Sequence, residues 1–113
     1  MNKRNEALYI ADILTAIKNI ESYTQEISFK NFFNNQMIID AVIRNLEIIG
    51  EAAKNLSVGI KSSHPDIPWE DIIGMRNKIA HEYFGVDIEI IWETIQESLP
   101  ELKKAMRRIR QNR

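Results

Sequence analysis

The sequence contains no cysteine. Disulfides and thiolate metal sites are therefore excluded, and the absence is compatible with a cytosol. Histidine is scarce as well: only His64 and His81 are present, and no His-x-x-x-His pair exists. No zinc or magnesium cage is evident. Long apolar runs are also missing. The opening "MNKRNEALYIADILTAIKNIESY" carries charged and polar residues every few positions, unlike the continuous apolar stretch of a signal peptide. No segment approaches the roughly 20 apolar residues of a membrane helix. A soluble, cytoplasmic protein without membrane association is expected. Excess charge of either sign is lacking too, since the formal net charge is -1. Bulk charge points to no partner, so any affinity for nucleic acid must come from local patches.

What is present is an ordinary globular composition, 44% hydrophobic and 27% charged over 113 residues. That fits one folded domain spanning 1–113. A chain of this size buries a moderate core, and a partner can cover part of its apolar surface.

Periodicity predicts helices throughout. Leu8, Ala11, Ile13, Leu14, Ile17 and Ile20 recur at helical steps, and this first helix should end between Ser22 and Ile27. "SFKNFFNNQ" reads as a turn or the start of a helix. Met37, Ile38, Ala41, Val42, Leu46, Ile49, Ala53 and Leu56 then predict a long helix, with Ile39, Ile43 and Ile48 widening its apolar face. Such breadth marks a central or interface helix. Its polar residues Asp40, Arg44, Glu47 and Glu51 form one stripe. "SVGIKSSHPDIP" reads as a loop. Pro68 suits the first position of the next helix, whose apolar face is Trp69, Ile72, Ile73, Met75 and Ile79. "FGVD" interrupts the pattern at Gly85. Asp87 is a fair N-cap for the last helix, in which Pro100 should make a bend or joint. No strand alternation is found. The expected fold is all-α, an antiparallel bundle of four main helices.

The last helix begins with Asp87, Glu89, Glu93 and Glu97 and ends with Lys103, Lys104, Arg107, Arg108, Arg110 and Arg113. The helix dipole favours this order. Six cations exceed what the dipole requires, so Lys103, Lys104 and Arg107 are weak candidates for RNA contact.

The chemistry concentrates in "RNKIAHEYFG", Arg76 to Gly85. Arginine stays charged and can fork onto a phosphate. Histidine titrates near neutrality and moves protons. Together they could cleave RNA without a metal. His81 would exchange a proton with the ribose 2′-hydroxyl or the leaving oxygen, while Arg76 neutralises charge on the phosphorus oxygens. Taken singly, each has a plainer role: a surface ion pair for Arg76, a helix-end hydrogen bonder for His81, packing for Tyr83. Trp69 and Trp92 fit core or interface positions better than base stacking, and His64 fits a solvated loop.

"RNKIAHEY" resembles the Arg-x4-His-x-Tyr motif of the HepT-like toxins, a branch of the HEPN superfamily. "NLEIIGEAAKNLS", "IPWEDIIGMRNKIAHEYFGVD" and "IWETIQESLPELK" resemble that branch in order and spacing, over nearly the whole chain after the first helix. The resemblance implies a dimerising α-helical bundle with metal-independent ribonuclease activity, needing no cofactor. It implies the toxin of a toxin–antitoxin pair, of type II or type VII-like organisation. Its partner would be a minimal nucleotidyltransferase (MNT-type) antitoxin that transfers AMP to the motif tyrosine. Carried over by position, Arg76 and His81 are catalytic, Tyr83 is the AMPylation target, and Asn77 supports the site.

Geometry bears on this assignment. On an ideal helix Arg76 and Tyr83 share a face, but His81 lies about 140° from Arg76. Either the helix loosens before His81 or the site straddles two subunits; a composite site at a homodimer interface is expected. Arg44 and Glu51 are candidate supports from the neighbouring helix, since a carboxylate beside His81 would strengthen it as an acid. The plainer reading of that stripe is a salt-bridge ladder from Arg44 to Glu47 or Glu51. A second function class is a catalytically silent HEPN-type module that binds nucleotides or docks to a nucleotidyltransferase. The intact Arg, His and Tyr favour the enzyme.

Overall fold

The structure is a computed structural model that describes residues 3–74 and 87–112. Every regular element among the described residues is helical, so the fold is all-α. α1 spans Lys3–Thr24, α2 Phe29–Phe33, α3 Gln36–Lys54 and α4 Val58–Ser63. α5 is described over residues 69–74. α6 spans Ile88–Glu93, and a π-turn, Thr94–Ser98, joins it to α7, Leu99–Gln111.

α1 has no proline or glycine and buries Ile10, Ile13, Ile17 and Ile20 completely or nearly so. These residues follow three- and four-residue steps along one stripe. The expected face was rotated in its first turns. Leu8 is 56% exposed and Ala11 is exposed, because on a helix Leu8 lies about 160° from Ile10. α3 packs along α1. Glu6 meets Ser57 and Asn19 meets Asn45, so the two helices run in opposite directions. The α3 face is broad, as expected, and includes Val42, Leu46, Ile49 and Ala53. Met37, by contrast, is 81% exposed at its start.

Two polar links fix this pairing. Asn45 is buried in the seam; it accepts from Asn19 at 3.2 Å and donates to the Ala41 carbonyl at 2.9 Å. Buried amides need such partners, which makes Asn45 a register-setting residue that hydrophobic periodicity passes over. The buried Glu6 carboxylate accepts from the Ser57 backbone N–H at 2.7 Å and from its hydroxyl at 3.0 Å. The same hydroxyl oxygen accepts from Ile60 N–H and so caps α4. α4 itself departs from expectation: the stretch read wholly as loop holds a short helix, because Ser57 supplies the N-cap that its Gly and Ser content obscured. Ser57→Ala removes both the cap and a donor to a carboxylate, and should cost about 2 kcal/mol, readable as a lower urea midpoint.

α2 turns the expected start of a helix into a complete short one. Ser28 caps it, and Phe32 is fully buried. The Phe32 ring lies 5.2 Å from Trp92, and Phe29 lies 5.9 Å from Trp92 and 6.0 Å from Phe33. Pro100 makes the expected joint. It stands in the first turn of α7 and has no N–H to continue the α pattern, so the Leu99 N–H reaches back to the Thr94 carbonyl in a π-type bond. α7 buries Leu99, Leu102, Met106 and Ile109 and is tied to α1 by Lys103, 3.0 Å from both Glu21 carboxylate oxygens. One apolar cluster joins α1, α2, α3, α5, α6 and α7.

Candidate functional site

Arg76, Asn77, His81 and Tyr83 lie outside the described residues, as do Met75, Ile79 and Gly85. What the structure describes is the frame on either side of them. On the N-terminal side, Ile67 and Trp69 are buried. The Trp69 indole N–H donates to the His64 carbonyl at 3.0 Å. His64 is not a solvated loop residue: it is half-buried and ends α4, with its Nδ1 at 3.1 Å from the Ile60 carbonyl. Pro68, expected at the first helical position, stands one place before the first residue of α5, and its carbonyl accepts the first α5 bond, from Ile72, at 3.1 Å. On the C-terminal side, the Asp87 carboxylate caps α6 by accepting from Glu89 N–H at 2.9 Å. Ile91 and Ile95 then anchor the chain in the core. The motif segment is thus tethered at both ends to buried residues.

Between these flanks the described residues line a groove of about 820 Å³. Leu46, Ile49, Leu99 and Leu102 give it an apolar floor. Its margin carries Asp66, Glu70, Asp71, Asp87, Glu97 and Glu101 against only Lys104 and Arg108. That excess of carboxylates repels phosphate. Within it, Arg108 lies 3.8 Å from Asp66, and Lys104 lies 3.7 Å from Glu101.

Arg44 and Glu51 stand together, as their spacing implies. With Tyr9, Asp12, Glu47 and Asn55 they line a shallow polar depression of about 310 Å³ between α1 and α3. Both are solvent-facing. The salt-bridge ladder is not formed: among the described residues Arg44 pairs with no carboxylate. Of the cations considered for RNA contact, Lys103 is held by Glu21, which leaves it poorly placed to track phosphates. Lys104 and Arg107 are exposed. Among the described residues no group of carboxylates and imidazoles is placed to hold a metal ion, and no helix is long and apolar enough to cross a membrane.

Comparison with known proteins bears on what this frame carries. The family model described as "Ribonuclease HepT-like" matches residues 13–109. The "Probable ribonuclease HepT" of Thermococcus cleftensis is 45% identical over 96% of this chain and 98% of its own length. "Putative RNase MJ0125" of Methanocaldococcus jannaschii is 41% identical over 96% of this chain and 94% of its own. "Putative RNase TTE0752" of Caldanaerobacter subterraneus is 44% identical over 91% and 92%. No solved structure matches the chain. The matched span runs from the core of α1 to the last buried residue of α7 and takes in the motif and both of its anchors, so the chain belongs to the ribonuclease HepT-like family.

Proposed function

We propose that this protein is a ribonuclease toxin that cleaves cellular RNA without a metal, using Arg76 and His81. The observation that carries the reading is the family match across the whole helical frame together with an intact Arg-x4-His-x-Tyr motif. The names of the similar archaeal and bacterial proteins support the same activity. The reaction is a proton transfer coupled to phosphoryl displacement. His81 takes the 2′-hydroxyl proton or protonates the leaving 5′-oxygen. Arg76 pairs with the phosphate oxygens as charge builds on them. Asn77 orients the arginine, and Arg44 and Glu51 support the site from α3.

The site is composite, with two copies of the chain contributing. The angular separation of Arg76 and His81 along an ideal helix supports this, as do exposed apolar side chains on the single chain, Leu8, Met37 and Ile90 among them. In the cytoplasm the partner is an MNT-type nucleotidyltransferase antitoxin that attaches AMP to Tyr83. On an ideal helix Tyr83 shares a face with Arg76, so an AMP phosphodiester on Tyr83 would pair with that arginine as substrate does and occlude the phosphate site. RNA cleavage that persists in EDTA and is lost in His81→Ala supports the enzyme. Folded, dimeric, unmodified protein that cuts no RNA would establish instead a silent nucleotide-binding or nucleotidyltransferase-docking module.

A further inference from the structure

The α2 helix presents more aromatic surface than the core uses. Phe32 alone fills the core and is fully buried, whereas Phe29 is 38% and Phe33 56% exposed. The two exposed rings and Trp92 form a continuous set, each step about one ring contact: Phe33 to Phe29 at 6.0 Å, then Phe29 to Trp92 at 5.9 Å. Trp92 is itself only half-buried. Lys30 and Asn34, both exposed, stand on the helix stripe next to the rings, and Asn31 lies on the far side of α2. Trp92 lies about 8 Å of helix rise beyond Asp87, where the motif-bearing segment rejoins the described chain. The set is therefore close to the end of that segment.

We propose that Phe29, Phe33 and Trp92 form a base-stacking ledge for single-stranded RNA, a substrate subsite of the ribonuclease reading on which this inference rests. In-line attack by a 2′-hydroxyl needs a strand released from A-form geometry, so the proposed reaction requires unpaired nucleotides, and stacking on aromatic faces holds them whatever the base. Among the described residues, carboxylates dominate the margin of the groove beside α5, which suits this task less well. On α2 the aromatic rings stand beside the Lys30 ammonium, which can meet phosphate, and the Asn34 amide, whose oxygen can meet base edges while its N–H holds the Lys30 carbonyl; this mixture suits nucleic acid better than a dry protein interface. The ledge selects single strands because paired bases keep their faces within the stack.

The test uses the full chain carrying His81→Ala, so that the substrate stays intact. Its Kd for a fluorescein-labelled, unstructured 12-nucleotide RNA is measured by anisotropy, and Phe33→Leu, Phe29→Leu and Phe33→Trp are added singly. Phe33 is exposed, so these variants should fold, as circular dichroism can verify. Each leucine should weaken binding by about 5- to 150-fold, and Phe33→Trp should preserve it. Leucine retains most apolar contact, so a protein-docking surface would tolerate it. A Kd unchanged by both leucines overturns the ledge, and a change confined to self-association in sedimentation overturns it in favour of a protein interface. The two readings fail separately. If the His81-intact protein cuts RNA while the leucines leave Kd unchanged, the ledge alone falls. If RNA binds through Phe33 but the His81-intact protein cuts nothing, the ledge stands and the ribonuclease reading falls. If no RNA is bound or cut, both fall.

Discussion

His81→Ala should lower RNA cleavage by about 10²- to 10⁴-fold, the range by which positioned acid–base groups accelerate reactions. Of all single substitutions in this chain it should have the largest effect on activity. The reason is chemical. At neutral pH the 2′-hydroxyl is a poor nucleophile and the 5′-oxygen a poor leaving group unless a proton is removed from the first and given to the second as the P–O bonds form and break, and His81 is one of only two imidazoles in the sequence. The other, His64, ends α4 with its ring at the Ile60 carbonyl. His64→Ala is therefore the matched control and should leave cleavage near the parent value. Arg76→Lys separates charge from shape: lysine keeps the charge but loses the planar fork, so activity should fall between the parent and Arg76→Ala. Initial rates on a labelled oligonucleotide in EDTA measure all four. Cleavage by His81→Ala within a few fold of the parent would remove histidine from the mechanism.

Phe32→Ala should have the largest effect on stability, about 3–5 kcal/mol. Domains of this kind are held by only about 5–15 kcal/mol in total. For a chain of this length the melting midpoint should drop by roughly 10–25 °C. Phe32 has no exposed surface, and its ring packs 5.2 Å from Trp92. Its loss would open a cavity where α2 meets α6. Phe33→Ala, one residue on, is the control: that ring is largely exposed, and its removal should move the midpoint by no more than a few degrees. Thermal scans by circular dichroism distinguish the two.

These contrasts indicate what the sequence could convey. Ile13, Ile17 and Ile20 make α1 legible because a buried helix face must repeat every three to four residues, whereas the equally buried Ile10 was passed over. Asp87 and Pro100 were legible because each acts through its own backbone chemistry, one as a cap and one as a missing donor. Leu8 misled because hydrophobicity alone does not say which of two apolar stripes faces the core. α4 was hidden because Ser57 caps it while also meeting Glu6, a partner 51 residues away. Asn45 was hidden for a similar reason, since a buried amide is only tolerable once Asn19 is known to face it. The same limit applies to the site. Residue types and spacing in "RNKIAHEY" carry the proposed chemistry, but nothing local reveals that Lys103 is already held by Glu21, or that Phe29 and Phe33 line up with Trp92.

The distance in sequence between Glu21 and Lys103, 82 residues, has a consequence for the order in which the molecule can be completed. During synthesis from the N-terminus, α1 can pair with α3 and anchor through Glu6 as soon as Ser57 is available, ahead of the motif that follows it in the chain. α6 and α7 come after the motif, and with them Trp92, Leu102 and Met106 close over what has already assembled. The motif thus emerges onto a half-built scaffold and gains its second anchor only when Ile91 and Ile95 dock. A chain cut short before Ile91 would carry every residue of the motif but lack the packing that secures its downstream end.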